Sequence, residues 1–148
     1  MKPNNLLITV ACCTSIILQG CGTIKTNQVT TSEASVVPAD RVFSLQVQTE
    51  GTVPISVIRD TGHLGGGCYL AIEAYGKLVA RLDTGETVRF FLVPGEHELT
   101  VASDPMGRGL CAVGFTSVTE KHQIQKEGKN LFRLSSRMYR RPELEPIE

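Results

Sequence analysis

The chain has no excess of either charge: its 148 residues carry fifteen Lys and Arg against fifteen Asp and Glu. Without a basic surplus it has little with which to neutralise a phosphate backbone, so nucleic acid is not an expected partner. Residues 6–18 are mostly apolar, but no later run approaches the roughly 20 residues that a membrane-spanning helix needs. Catalytic signatures are missing too. There is no Gly-x-Ser-x-Gly, and Gly65-Gly66-Gly67 leads into Cys68-Tyr69-Leu70 rather than the Lys-Ser/Thr and helix of a phosphate loop. His63, His97, His122, Cys68 and Cys111 show no paired spacing suited to zinc. Asp60 and Asp83 stand in turn-like sequences, where aspartate serves local hydrogen bonding. The expectation is a non-enzymatic protein with no cofactor and no metal.

What is present starts at the first residues. Met1-Lys2-Pro3-Asn4-Asn5 is a short polar start with one positive charge, and the apolar residues 6–18 follow, the pattern of a signal peptide. The run ends in Leu18-Gln19-Gly20-Cys21, which resembles the lipobox of bacterial lipoproteins, although Gln19 replaces the small residue usual there. The resemblance implies that residues 1–20 are removed, that the Cys21 thiol carries diacylglycerol and that its new amino group is acylated. One acyl chain binds a bilayer only reversibly, whereas two or three on Cys21 would anchor the protein there. In the bacterial sorting pattern an aspartate after the cysteine retains a lipoprotein at the inner membrane. Gly22 stands there instead, which implies the outer membrane, facing the periplasm.

Cleavage before Cys21 would leave 128 residues, one domain's worth, with a net charge near −1. Cys12 and Cys13 would be discarded. Cys68 and Cys111 then form an even pair in an oxidising compartment, most simply a disulfide. It would close a loop of about 44 residues and add roughly 4 kcal/mol of stability. Two free buried thiols and a pair of metal ligands are the other readings.

Residues 22–40 are rich in Thr, Ser and small side chains, so residues 21–40 read as a lipidated cysteine and a flexible tether with a mean reach of roughly 25 Å. From residue 41 the pattern alternates. Phe43, Leu45 and Val47 share one parity, as do Val53, Ile55 and Val57; Cys68, Leu70 and Ile72; and Leu78, Ala80 and Leu82. Val88, Phe90 and Leu92 continue it, followed by His97, Leu99 and Val101, then Cys111, Val113 and Phe115, and finally Phe132 and Leu134. Such alternation turns one strand face toward a core and places His97 at the core or its rim. Residues 68–82 form the clearest hairpin, around Tyr75-Gly76, and residues 88–101 suggest a second around Pro94-Gly95. Residues 118–126 fit a helix or an edge strand equally well. The expected fold is all-β: a single antiparallel β-sandwich of about seven or eight strands over residues 41–140, with a C-terminal tail at 141–148, and the stretch Arg137 to Pro142 either packs on a sheet edge or extends to a partner.

Several motifs recur in this order: Ile58-Arg59-Asp60, a Gly-rich loop, Tyr75-Gly76-Lys77, Asp83-Thr84-Gly85-Glu86, Leu92-Val93-Pro94-Gly95-Glu96-His97 and Gly128-Lys129-Asn130-Leu131-Phe132-Arg133. Over about residues 50–140 the chain resembles small bacterial lipoproteins of unknown function with a transthyretin-like or PEGA-like β-sandwich. A bridge between Cys68 and Cys111 would bring loops 61–67 and 104–110 to one end of such a sandwich. His63, Leu64, Met106 and Arg108 are then candidate partner-binding residues, since loops on a rigid scaffold are common recognition sites and Met and Arg are enriched at interfaces. The expected partners are the bilayer, through acylated Cys21, and an envelope protein in an assembly. A small-ligand or enzyme-inhibitor module is the alternative.

Overall fold

The computed structural model describes residues 26–62, 67–113, 116–137 and 141–147. Cys21, His63 and Leu64 lie outside them, as does Phe115. Among the described residues, nine strands form two sheets. The first holds β1 (Ser35–Val36), β2 (Val53–Arg59), β5 (Glu86–Leu92), β8 (Asn130–Arg137) and β9 (Arg141–Pro146), in the order β1-β5-β2-β8-β9. The second holds β3 (Leu70–Ala74), β4 (Lys77–Leu82), β6 (Gly95–Ser103) and β7 (Val118–Ile124), in the order β4-β3-β6-β7.

Period-two patterning builds these sheets. In β5 the residues Glu86, Val88, Phe90 and Leu92 are buried and those between them are not. Inward side chains from both sheets meet in one apolar core, with Ile55, Phe90 and Leu134 from the first and Leu70, Ile72 and Leu99 from the second. Two apolar faces closed on each other make the sandwich that the alternation implies.

Several expectations are corrected, beginning with the strand count, which is nine among the described residues rather than seven or eight. The sandwich is not wholly antiparallel: β1 runs parallel to β5, and β2 parallel to β8. The turn at Pro94-Gly95 is no hairpin, because β5 and β6 belong to different sheets and the turn carries the chain between layers. Residues 111–113 are helical rather than extended, in the short α1 (Leu110–Val113). The segment 141–147 follows the edge-packing alternative, since β9 pairs with β8 from Arg137↔Arg141 to Phe132↔Pro146. The tether is corrected as well. From Thr26 onward the chain is part of the fold: Asn27 bridges Thr61, Val29 and Val37 are buried, and Ser35 and Val36 pair with Glu86 and Thr87. Residues 118–124, left open between helix and strand, form the edge strand β7.

The alternation at Phe43, Leu45 and Val47 makes no strand either. Leu45 has φ +60°, and its carbonyl accepts the Phe91 N–H at 2.9 Å, while Ser44 Oγ donates to Leu78 O at 2.6 Å and Phe43 N–H to Val79 O at 2.9 Å. Phe91 lies in the first sheet and Leu78 in the second, so this segment laces one open side of the sandwich.

A buried ion pair fixes the strap of residues 26–42. Arg41 ends a 3-10 turn (Ala39–Arg41), and its guanidinium donates to both oxygens of Glu86, at 2.8 and 2.5 Å. Glu86 also accepts the Asp83 N–H at 2.6 Å, within the Asp83-Thr84-Gly85-Glu86 turn. Breaking one partner of such a pair strands the other charge, at a cost of about 3–5 kcal/mol, whereas replacing both by apolar groups is often near neutral. Glu86→Ala is therefore expected to destabilise the domain by about 3–5 kcal/mol in denaturant unfolding. The double variant Arg41→Met/Glu86→Leu should recover most of that loss; equal losses would show that the two side chains are not coupled.

Candidate functional site

Three regions of the sandwich concentrate chemistry. The first is the end where β2, β4 and β6 meet the 104–110 loop. Cys68 and Cys111 are bridged there, with Cα atoms 5.3 Å apart. The bridge uses both sulfurs, which removes the free-thiol and zinc readings. Arg59 lies beneath it, nearly fully buried, and donates to Cys68 O at 2.8 Å and Leu82 O at 2.6 Å. Burial pulls this guanidinium down to about 10, against the opposing pull of Asp83 and Glu86, so it stays charged at neutral pH. Arg41 and Arg81 both lie over the Tyr69 ring, 4.4 and 5.0 Å from its centroid. Arg81 continues to Asp104 through two bonds, at 2.6 and 2.5 Å.

Asp104 founds the loop. It accepts the Met106 N–H at 2.9 Å, and its backbone carbonyl accepts the Gly107 N–H at 2.9 Å. Burial alone would push its carboxyl up, but the Arg81 bonds and the Met106 N–H outweigh burial and hold it below the usual carboxylate range. Gly107 is needed for a close approach, since a Cβ there would sit 3.0 Å from both Asp104 O and Cys111 O. The result is a loop pinned at its base by an ion pair and at its far side by the disulfide. Arg108 is exposed on it, with Met106 at 54% and Leu110 at 72% exposure. Thus Met106 and Arg108 stand where the sequence places them, on an exposed loop beside the bridge.

The second region is the opposite end, and sequence reasoning missed it. Tyr75 and Gly76 form the two-residue turn between β3 and β4, with φ of +54° and +66°. Such turns favour Asn, Asp or Gly at both positions, because a Cβ is strained at positive φ. A bulky aromatic that is half exposed in the strained position is therefore unusual. Its ring meets His97 edge-on at 5.2 Å, and His97 Nε2 donates to Val93 O at 2.8 Å. The carbonyl can only accept, so the proton is on Nε2. Val93 is itself 44% exposed. The legible signal was Tyr75-Gly76 at a hairpin tip, which reads as turn chemistry until the backbone angle is seen.

The third region is the β7 edge. His122 faces His97 across the β6–β7 register, and its side chain is only 9% exposed. Its ring meets Phe132 edge-on at 5.0 Å, and Nε2 has no hydrogen-bond partner, with Glu120 Oε2 3.7 Å away. A cleft of about 250 Å³ is lined by Glu120, Arg141, Pro142 and Glu143, between β7 and β9. Among the described residues no three His, Cys, Asp or Glu side chains converge as metal ligands.

Comparison of the chain with protein-family models, with curated proteins and with solved structures finds no match.

His122 gives a pH signature. Burial holds the imidazole below its ordinary value of 6.5, with Glu120 opposing weakly. The unfolded chain binds the proton more readily than the folded one. The contribution to stability is therefore complete above about 6.5 and is lost as pH falls from there through the depressed folded value. Denaturant midpoints at pH 7.5 and 5.5 should show the wild type losing more stability on acidification than His122→Leu. Parallel curves would mean that His122 does not titrate in this way.

Proposed function

We propose that the protein is a lipid-anchored, non-enzymatic binding module of the bacterial envelope, held through Cys21 and serving a protein partner in an assembly at its membrane. The signal-like residues 1–20, the lipobox resemblance at Leu18-Gln19-Gly20-Cys21 and Gly22 after it support an outer-membrane site facing the periplasm. The buried charges support binding over catalysis. Arg41 with Glu86, Arg81 with Asp104, and Asp60 with Arg133 are engaged inside the scaffold rather than gathered around a substrate-sized hollow.

The observation that carries the partner reading is Tyr75. A non-glycine residue at positive φ costs of order 1–3 kcal/mol and persists where something else requires it. About half of the residue stays exposed in this domain, so the strained turn holds much of a large aromatic side chain out to solvent. Tyrosine is among the residues that most often dominate protein interfaces, because it offers a large rigid surface and a polar tip. Together with Val93 and the braced His97 it presents an aromatic knob at the end of the sandwich away from the disulfide.

Tyr75→Asn separates folding from binding. The turn gains in backbone comfort about what the ring contact with His97 loses, so thermal stability should stay within about 1 kcal/mol of wild type. Cross-linking in intact cells, followed by solubilisation of the envelope in mild detergent, should recover wild type with a stoichiometric envelope protein. The Asn variant should lose most of that capture. Recovery of wild type alone, or equal capture by both proteins, would defeat the reading.

A further inference from the structure

The described chain joins the sandwich at one end. Asn27 N–H donates to Thr61 O at 2.7 Å, Thr61 N–H donates back to Asn27 O at 3.0 Å, and Thr26 lies against Gly62, where an added Cβ would stand 3.3 Å from Thr26 Cα. Thr61 stands two residues past the end of β2. Arg59, the last residue of that strand, reaches Cys68 O with its guanidinium, so this entry point and the Cys68–Cys111 bridge share an end. The strands then run away from it. Leu70, near the bridge, pairs with Leu82 and Ser103, while Ala74, before the Tyr75 turn, pairs with Lys77 and Leu99 at the far end.

Chain length converts this into an orientation. Five residue steps separate Cys21 from Thr26, and an extended chain gains at most about 3.3–3.6 Å per step, so the two lie within about 18 Å of each other. The flexible reach through residue 40 that composition suggests is not available, because the strap is already bound from Thr26. If Cys21 carries lipid, the disulfide end is held down at the bilayer and the Tyr75 end is not.

The surface held there has the chemistry of an interface seeker. Pro105, Met106, Arg108, Gly109 and Leu110 are all exposed. Arg108 is the only charged residue from 105 to 119. Asp104 at the base is buried and paired with Arg81, so no free carboxylate opposes the arginine within the loop. Apolar tips flanking a cation suit a headgroup layer, in which Met and Leu enter the acyl boundary and Arg meets lipid phosphate. The loop needs no ordering on contact, since the Asp104 turn and the disulfide already fix it.

We propose that the loop bearing Met106, Arg108 and Leu110 rests in the headgroup region of the membrane that holds Cys21. The domain then touches its membrane at two points and stands with Tyr75 directed away. This rests on the reading of Cys21 as lipidated, and it takes the expected partner loop of the sequence to be a membrane contact.

The test uses full-length lipidated protein purified from the envelope and reconstituted in vesicles of phosphatidylethanolamine and phosphatidylglycerol. An environment-sensitive fluorophore is placed at Met106→Cys and, as a far-end control, at Val47→Cys, where the side chain is 78% exposed. Thermal unfolding first verifies that both labelled proteins keep the wild-type transition. With bromine in the upper acyl chains, the probe at 106 should shift to the blue and be quenched, while the probe at 47 should not change. Adding Arg108→Glu should remove most of the quenching at 106 while the protein still floats with the vesicles through its lipid. Protein that floats with an unquenched, water-like probe at 106 would overturn the loop contact and leave the anchor intact. Protein that fails to float would overturn the anchor and the proposal with it. A probe at 106 that is shielded in native envelope vesicles but not quenched by lipid would assign the loop to a protein and also overturn the proposal.

Discussion

The Arg41–Glu86 ion pair is the contact through which the separate parts of this domain are joined. Glu86 opens β5, at the edge of the apolar core, and Arg41 closes the strap that precedes β2. One guanidinium thereby ties the strap of residues 26–42 to the first sheet. Its Nη1 also donates to Arg81 O, 3.2 Å away, which reaches the second sheet. From there the connection continues: both arginines cover Tyr69, Arg81 grips Asp104, and Asp104 holds the Met106 N–H. A chain of charge-assisted contacts thus runs from the strap through both layers to the base of the pinned loop.

Such a series is costly to assemble. Each charge leaves water, and in the interior the mutual attraction repays that loss only if the remaining donors and acceptors are also met. Here they are met locally. Glu86 takes a backbone N–H besides its arginine, Asp104 takes another, and Arg59 spends its donors on the Cys68 and Leu82 carbonyls. Apolar side chains in these places would pack about as well but would not specify where the strap, the 83–86 turn and the 104 loop must sit. Directional bonds convert a general collapse of alternating strands into one arrangement of its connections.

That division explains what could be read from the residues alone. The strand parities of β2, β3, β5, β6 and β8 were legible, because inward residues such as Ile55, Phe90 and Leu99 leave an apolar mark at every second position. The disulfide was legible from the even cysteine pair. The strap was not, for its strand β1 is two residues long with both side chains exposed, and its order comes from backbone bonds such as Ser35 N–H to Gly85 O and Val37 N–H to Thr87 O. Bonds of that kind leave no trace in hydropathy. The Pro94-Gly95 turn misled for a related reason: a turn signal says that the chain reverses but not whether it returns in the same sheet. The alternation at residues 43–47 was real in composition, yet positive φ at Leu45 turns the segment across the open side instead of along a sheet. Of the candidate loop residues, Met106 and Arg108 are exposed on the loop that leads to the disulfide, whereas the strain at Tyr75 is a backbone property that no residue pattern displays.

On the proposal that Cys21 is anchored, the consequence of the strap is a short leash. A module on a long flexible tether samples all orientations above its membrane, so its binding surfaces meet the bilayer and other envelope proteins at random, and the effective concentration of any one contact falls as the tether lengthens. Because the chain is bound from Thr26 onward, the span that could separate a proposed anchor at Cys21 from the fold falls from nineteen residues to the few before Thr26. The same hydrogen bonds that order Asn27 against Thr61 choose which end of the sandwich would lie near the proposed anchor, because Thr61 stands just past the end of β2. Two exposed surfaces of different chemistry, a cationic loop with aliphatic tips and an aromatic knob, then lie at opposite ends of strands about 20 Å long. On the proposal that Cys21 is anchored, one end is committed to the membrane and the other would be the surface best placed to meet a partner.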